Sequence, residues 1–262
     1  MKISIITVVR NNKETIRDAI ESVLSQNYEN VKYIIIDGNS IDGTVEIIRS
    51  YANKIDKFVS EKDNGLYDAM NKGINIADGD IIGFLNSDDL YIDSDVLSKV
   101  AREFIAQPSL DACYADLVYV DHGSTSRVIR YWKSSKFSLG LFSKGWSPPH
   151  PTFFVSRRVY EKFGNFNIQY HIASDIELMI RFLEVYKIDV KYIPQLLVKM
   201  RYGGISNKSI KNMLNLNQEI LGALDYHNLP KNIFIFFIYK IISRVKQFLN
   251  RHNSQITIKQ GK

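Results

Sequence analysis

Along the first ninety residues the spacing of apolar positions changes repeatedly, and each change marks a predicted element. Ile3 to Val9 and Val31 to Ile36 are short, β-branched apolar runs, as expected of buried strands. Between them Thr15, Ile16, Ala19, Ile20, Val23 and Leu24 recur at helical spacing, with Asn12 as the expected cap. Turn chemistry from Asn39 to Thr44 leads into a helix through Ile47, Ile48 and Tyr51. A strand at Lys57 to Ser60, a helix from Leu66 to Ile76 and a strand at Ile81 to Leu85 continue the alternation. This order predicts parallel strands joined by crossover helices. The second half is less regular, with antiparallel strands expected at Cys113 to Val120 and Arg127 to Trp132. Helices are expected around Ser156 to Phe163 and Ser174 to Tyr186.

The pattern breaks once, at Leu229-Pro230, and the segment beyond is strongly apolar through Ile242 and then basic and amphipathic through Arg251. A chain of 262 residues with 45% apolar content buries one substantial core, so the expectation is an α/β domain over 1–228 followed by a helical tail over 229–262. Its one cysteine, Cys113, leaves no intramolecular disulfide or cysteine-based zinc site and suits a reducing compartment. The N-terminus turns polar at Arg10 and reads as a first strand instead of a signal peptide.

The +6 net charge changes this picture through its distribution. No acid follows Asp225, whereas Lys231, Lys240, Arg244, Lys246, Arg251, Lys259 and Lys262 do; removing these seven from +6 leaves −1 for residues 1–225. A nearly neutral body argues against nucleic acid as a partner. The Ile233 to Ile242 run is too short to span a bilayer, so an interfacial helix held to anionic lipid at the inner face of the plasma membrane is expected, with a core-packing or dimer helix as the alternative.

In open α/β sheets, ligands bind at the carboxyl ends of the strands. Here those ends read Arg10-Asn11-Asn12, Asp37-Gly38-Asn39 and Asn86-Ser87-Asp88-Asp89. Adjacent carboxylates after an apolar strand repel one another and lose hydration, and a divalent cation removes both penalties. With no His or Cys cluster nearby, Mg²⁺ or Mn²⁺ suits such oxygens better than zinc. The plainer alternative makes Asp88 and Asp89 caps of the following helix.

These segments, with Asp63-Asn64-Gly65-Leu66-Tyr67-Asp68-Ala69-Met70-Asn71-Lys72-Gly73 between them, resemble in order and spacing the family 2 glycosyltransferases of the GT-A fold. The resemblance covers residues 1 to about 206 and implies a mostly parallel sheet flanked by helices. It also implies transfer of a sugar from a nucleotide-diphosphate donor, UDP by default, to a saccharide or lipid-linked acceptor, as in bacterial surface-polysaccharide synthesis. Thr7, Arg10, Asn11 and Asp37 would then border the nucleoside. Asp68 and Lys72 would lie by the phosphates, or else on a solvated helix face. Asp88 and Asp89 would bind the metal, gathered with Asp37 around one cation. Asn86 replaces the first acid of the usual Asp-x-Asp. In Ile172-Ala173-Ser174-Asp175-Ile176-Glu177, Asp175 takes the place of the base that receives the acceptor's proton, and a helix cap is its alternative. His150, in His150-Pro151-Thr152-Phe153-Phe154, and Arg201, before Gly203-Gly204-Ile205-Ser206, would approach the acceptor or the diphosphate. The competing readings are a sugar-phosphate nucleotidyltransferase and a non-enzymatic membrane-surface protein.

Overall fold

The computed structural model describes residues 1–203 and 210–250. The first half runs β1 (Ile3–Val9), α1 (Ile16–Leu24), β2 (Val31–Asp37), α2 (Thr44–Arg49), β3 (Lys57–Ser60), α3 (Leu66–Ile76), β4 (Ile81–Phe84), β5 (Leu90–Tyr91) and α4 (Val96–Ala106). The second half runs β6 (Ala112–Val120), β7 (Val128–Trp132), β8 (Phe154–Ser156), α5 (Arg157–Phe163), α6 (Ser174–Ile180), β9 (Val190–Arg201), α7 (Ile210–Tyr226) and α8 (Ile233–Leu249). The strands form one sheet in the order β3-β2-β1-β4-β8-β6-β9-β5, with β7 pairing the other way from β6.

The β3-β2-β1-β4 half is parallel, as the alternation predicts, and β8 turns the sheet antiparallel. Residues of β1 and β2 are buried on both faces. Ile3, Ile5, Val9 and Ile35 pack with α1 and α4 residues, while Ile6, Val8, Ile34 and Ile36 pack with α3 and α6. Two helical layers over a sheet follow directly from that two-sided burial.

Several elements depart from the expectation for local reasons. The helix after β1 starts beyond Asn12, with Thr15 at its N-cap; Asn12 Oδ1 instead accepts from the Thr15 hydroxyl at 2.9 Å. The predicted helix to Tyr186 ends as α6 and then widens into a π turn over Arg181–Val185, where the Tyr186 N–H donates to the Arg181 carbonyl five residues back. The long β9 contains Pro194, which argues against a central strand. Its ladder with β6 accommodates it by a bulge: Ile193 pairs Ala115 and Leu196 pairs Asp116, leaving Pro194 and Gln195 outside the register.

The apolar segment after Pro230 is the single helix α8, capped by Asn232, whose side chain accepts from the Ile235 N–H at 3.1 Å. It docks on the body through Phe236, which is fully buried. Its seat is the turn at Gly145 (φ +81°), where a β-carbon would lie 2.8 Å from the Phe236 carbonyl oxygen. Among the described residues no helix is long and apolar enough to cross a membrane. Gly204, Ile205, Ser206, Arg251, Lys259 and Lys262 lie outside the described residues.

Candidate active site

The carboxyl ends of β1, β2 and β4 meet at one edge of the sheet. Asp37 ends β2, is fully buried, and accepts from the Ser60 hydroxyl at 2.6 Å and the Ser40 N–H at 3.0 Å through Oδ2; its Oδ1 has no partner. Gly38 follows with little room to spare: a β-carbon there would lie 2.9 Å from Asp63 Oδ2 and 3.4 Å from Arg10, so those side chains would have to shift. Arg10 is exposed beside it, and Asn11 crosslinks the loops, its N–H donating to Ser40 Oγ and its Oδ1 accepting from the Ile41 N–H.

Thr7 lies deeper than the nucleoside contact expected of it. Strand alternation turns it into the α1 layer, where its hydroxyl donates to the Leu85 carbonyl at 2.8 Å and accepts from the Tyr33 hydroxyl at 3.1 Å. Its hydroxyl is spent on these two bonds, and the side chain fixes the end of β4.

Lys72 is also committed elsewhere. Its ammonium contacts Asp63 at 2.6 Å, Glu61 at 2.8 Å and Asp68 at 3.6 Å, and hydrogen bonds with Asp63 and Glu61 raise its pKa. Asp68 further accepts from the Asn64 N–H at 2.9 Å, so both residues brace the loop from β3 to α3. Asp42 serves its turn, accepting from the Thr44 and Lys13 N–H groups.

Beyond β4, Asp89 is 0% exposed, and Asp88 is half-buried. The Asn86 amide donates to Asp89 Oδ2 at 2.8 Å, while Asp89 Oδ1 is buried without a partner. Burial, and then the charge of Asp88, push the Asp89 carboxyl well above the usual carboxylate range. Burial likewise raises Asp88, against the pull of Arg201. Arg201 itself is buried: it donates to the Asp88 carbonyl at 2.8 Å and the His122 carbonyl at 3.3 Å, and pairs with Asp18. Its guanidinium therefore holds the Asp88-Asp89 loop from β9.

The three-carboxylate grouping expected around one cation is corrected. Among the described residues no three His, Cys, Asp or Glu side chains converge on a metal position. Asp37 belongs to β2, across β1 from β4, and its Oδ2 is spent on Ser40 and Ser60. Asp88 and Asp89 stand as a pair.

Asp175 is the second residue of α6, two after the Ala173 N-cap, and the helix start has no side-chain cap. Tyr67 of α3 donates to its Oδ1 at 3.1 Å and also contacts the Ile172 carbonyl at 2.8 Å. Glu177, two residues on, is buried in a separate network with Arg181 and His227 at 3.0 and 2.8 Å. Glu219 of α7 fixes the approach to α6, accepting from the N–H groups of His171, Ile172 and Ala173. His150 packs between the rings of Phe84 and Phe166, at 5.6 and 5.7 Å, which ties this region to the end of β4. Burial lowers the His150 pKa, and Asp175 pulls it partly back.

His150 and Asp175 line a cavity of about 820 Å³ between the sheet and α8, with Trp132 and Trp146 in the same wall. Trp146 is mostly buried and packs edge-on against Phe142 and Tyr114. Asp37, Asp88 and Asp89 are not on this wall. Sequence reasoning missed Glu219, a helical acid without a motif. It also missed Arg130, for which a signal existed: β7 alternation puts this arginine on the same inward face as Val128.

The family model for glycosyl transferase family 2 matches residues 4–164. A PGL/p-HBAD biosynthesis glycosyltransferase of Mycobacterium tuberculosis is 28% identical over 210 residues, 78% of each chain. An uncharacterized glycosyltransferase of Rickettsia typhi is 30% identical over 209 residues, 76% of this chain and 63% of its own. Among solved structures, S. aureus TarS in complex with UDP-GlcNAc superposes with a TM-score of 0.66 at 16% identity, covering 97% of this chain and 73% of that one. The Pyrobaculum calidifontis mannosyltransferase PcManGT, in complex with GDP-Man and Mn²⁺, gives 0.59 at 14% identity over 98% and 84%. The sheet and its flanking helices are thus a GT-A fold, and this chain is a glycosyltransferase that belongs to glycosyl transferase family 2.

Proposed function

We propose that the chain inverts configuration as it moves a sugar from a nucleoside-diphosphate donor, UDP by default, to the hydroxyl of a lipid-linked saccharide in cell-surface polysaccharide synthesis. The observation that carries this is Asp89: a buried carboxylate with one unpartnered oxygen, beside a second carboxylate, at the end of a parallel strand. Such a pair is costly alone and suits a divalent cation with oxygen ligands. The donor set fits Mn²⁺ or Mg²⁺: Asp88 and Asp89 would hold the ion, with Asn86 aligning Asp89. When bound, it supplies positive charge against the departing nucleoside diphosphate.

The chain's own residues do the rest. Asp37, with its unpartnered Oδ1, and the exposed Arg10 would border the nucleoside. Asp175, oriented by Tyr67, takes the proton of the acceptor hydroxyl as its oxygen bonds to the anomeric carbon and the bond to the diphosphate breaks. A single displacement needs no second nucleophilic carboxylate. The PcManGT complex with Mn²⁺ and the TarS complex with UDP-GlcNAc support this reading by analogy of fold.

Thermal unfolding with UDP, GDP and Mn²⁺, singly and combined, tests it. Stabilisation by UDP that requires Mn²⁺ is expected, together with slow hydrolysis of a UDP-sugar without acceptor; no metal-dependent nucleotide effect refutes it. Release of pyrophosphate from a nucleoside triphosphate and a sugar phosphate would favour a nucleotidyltransferase instead.

We infer a peripheral position at an anionic, cytoplasmic membrane face from α8. Phe234 and Leu249 are 75% and 72% exposed on a helix that carries Lys246 and Arg244. Phe234→Glu with Ile238→Glu should abolish cosedimentation with vesicles containing anionic lipid, and unchanged cosedimentation refutes the anchor.

A further inference from the structure

The cavity between α8 and the sheet holds positive charge that the machinery above does not use. Arg130 of β7 is 2% exposed, and its Nε has no hydrogen-bond partner. Its guanidinium carbon lies 3.7 Å from the Tyr119 ring centroid, with the Tyr119 hydroxyl as a polar neighbour, and among the described residues no carboxylate pairs with it. A buried guanidinium without a counter-ion is costly. Arg244, on α8, adds a second charge that acts on both Arg130 and Lys240. Lys240 has its ammonium on the Asn217 side chain at 2.6 Å, and burial followed by Arg244 lowers its pKa to about 8. Among the described residues none of the three forms an ion pair, yet all three line one cavity with Asp175.

Three cations lining one cavity without a counter-ion among the described residues call for an anion, and the rest of the wall specifies what the anion is attached to. Trp132, Met179, Phe237, Ile241 and Val245 give the cavity an apolar lining, continuous with the exposed apolar face of α8. Asp37, Asp88 and Asp89 do not line this cavity. We propose that Arg130, Lys240 and Arg244 form a binding site for the phosphate or diphosphate of an amphiphilic acceptor, whose hydrocarbon chain leaves along α8. This rests on the sugar-transfer reading for Asp175, and it assigns the acceptor's anionic link to residues of the sheet and tail together. Charge-assisted hydrogen bonds from two guanidinium groups suit phosphate oxygens, and the chain end suits the apolar exit.

The chain has two tryptophans, Trp132 and Trp146, and both line the cavity, so intrinsic fluorescence reports its occupancy. In the full chain, farnesyl diphosphate should change that fluorescence saturably, at least tenfold more tightly than farnesol or inorganic pyrophosphate. Arg244→Glu and Lys240→Gln, changes on the outer helix that spare buried Arg130, should each weaken farnesyl diphosphate at least tenfold. UDP with Mn²⁺ is titrated against the same preparations. Equal binding by these variants, or no response to farnesyl diphosphate, overturns the site. Loss of UDP affinity in Arg244→Glu, or competition by UDP, also overturns it by giving the cations to the donor. Failure of UDP to bind the unmodified chain, with farnesyl diphosphate bound, would instead count against sugar transfer and leave the anion site standing.

Discussion

The Tyr67 hydroxyl lies 3.1 Å from Asp175 Oδ1 and joins α3 to the first turn of α6. In the mechanism proposed above, a base that must meet an acceptor hydroxyl in one orientation needs such a fixed neighbour, and Tyr67 is itself buried with its phenol held neutral by desolvation. Asp175→Asn should reduce transfer by about 10²- to 10⁴-fold, the usual share of a general base, with UDP affinity unchanged. Tyr67→Phe should cost about 1 kcal/mol, or several-fold in rate, mainly in kcat. Steady-state kinetics with varied acceptor separates the two, and full activity in Asp175→Asn would remove it from the mechanism.

Asp89 sets stability against function. Without a cation its carboxylate is buried with one oxygen unsatisfied. Asp89→Asn should therefore stabilise the metal-free protein by about 1–3 kcal/mol, the usual cost of such a group, and abolish Mn²⁺-dependent UDP binding. Urea unfolding in EDTA measures the first effect and calorimetry the second. A destabilised variant would mean that the charge is already compensated within the fold.

Glu219 joins α7 to the candidate active site by accepting from three backbone N–H groups ahead of Asp175. Glu219→Ala should lower stability by about 2 kcal/mol, given hydrogen bonds to a charged acceptor, and the melting temperature by about 4–8 °C for a chain of this size. Since the freed segment carries Asp175, kcat should fall more than UDP affinity. Glu219→Gln, which keeps an acceptor oxygen, should recover part of both.

His150 gives an acid limb to stability. Its folded pKa is below the ordinary value near 6.5, so the unfolded chain takes up a proton first as pH falls. The contribution is complete above about pH 6.5 and is lost below it, with a slope of at most about 1.4 kcal/mol per pH unit for one proton. His150→Gln should flatten that limb in denaturant unfolding between pH 7 and 5; an unaltered slope would show that His150 titrates normally.

How much of this was legible in the sequence follows from how local each signal is. Apolar runs of fixed period placed β1 to β4 and the helices between them, because burial on both faces of a parallel strand leaves a mark in every residue. Asp88, Asp89 and Asp175 were legible as acids at a strand end and a helix start. The β9 strand was not, since Pro194 disguises a bulge that only its partner β6 makes tolerable. The isolation of Asp37 from the Asp88-Asp89 pair was also hidden, because strand order, not sequence spacing, puts β1 between them. Lys72 looked free because Glu61 and Asp63 reach it from a loop. Arg130 acquires its meaning only when a helix a hundred residues later closes over it.

The seat of α8 at Gly145 has a mechanical corollary. One missing methyl group lets the tail's backbone rest on a turn that leads, five residues on, to His150. A displacement of the helix therefore meets, within a few residues of chain, the cavity wall that carries His150. On the membrane reading proposed for α8, Gly145 is a place where the outer helix bears on the wall that holds His150.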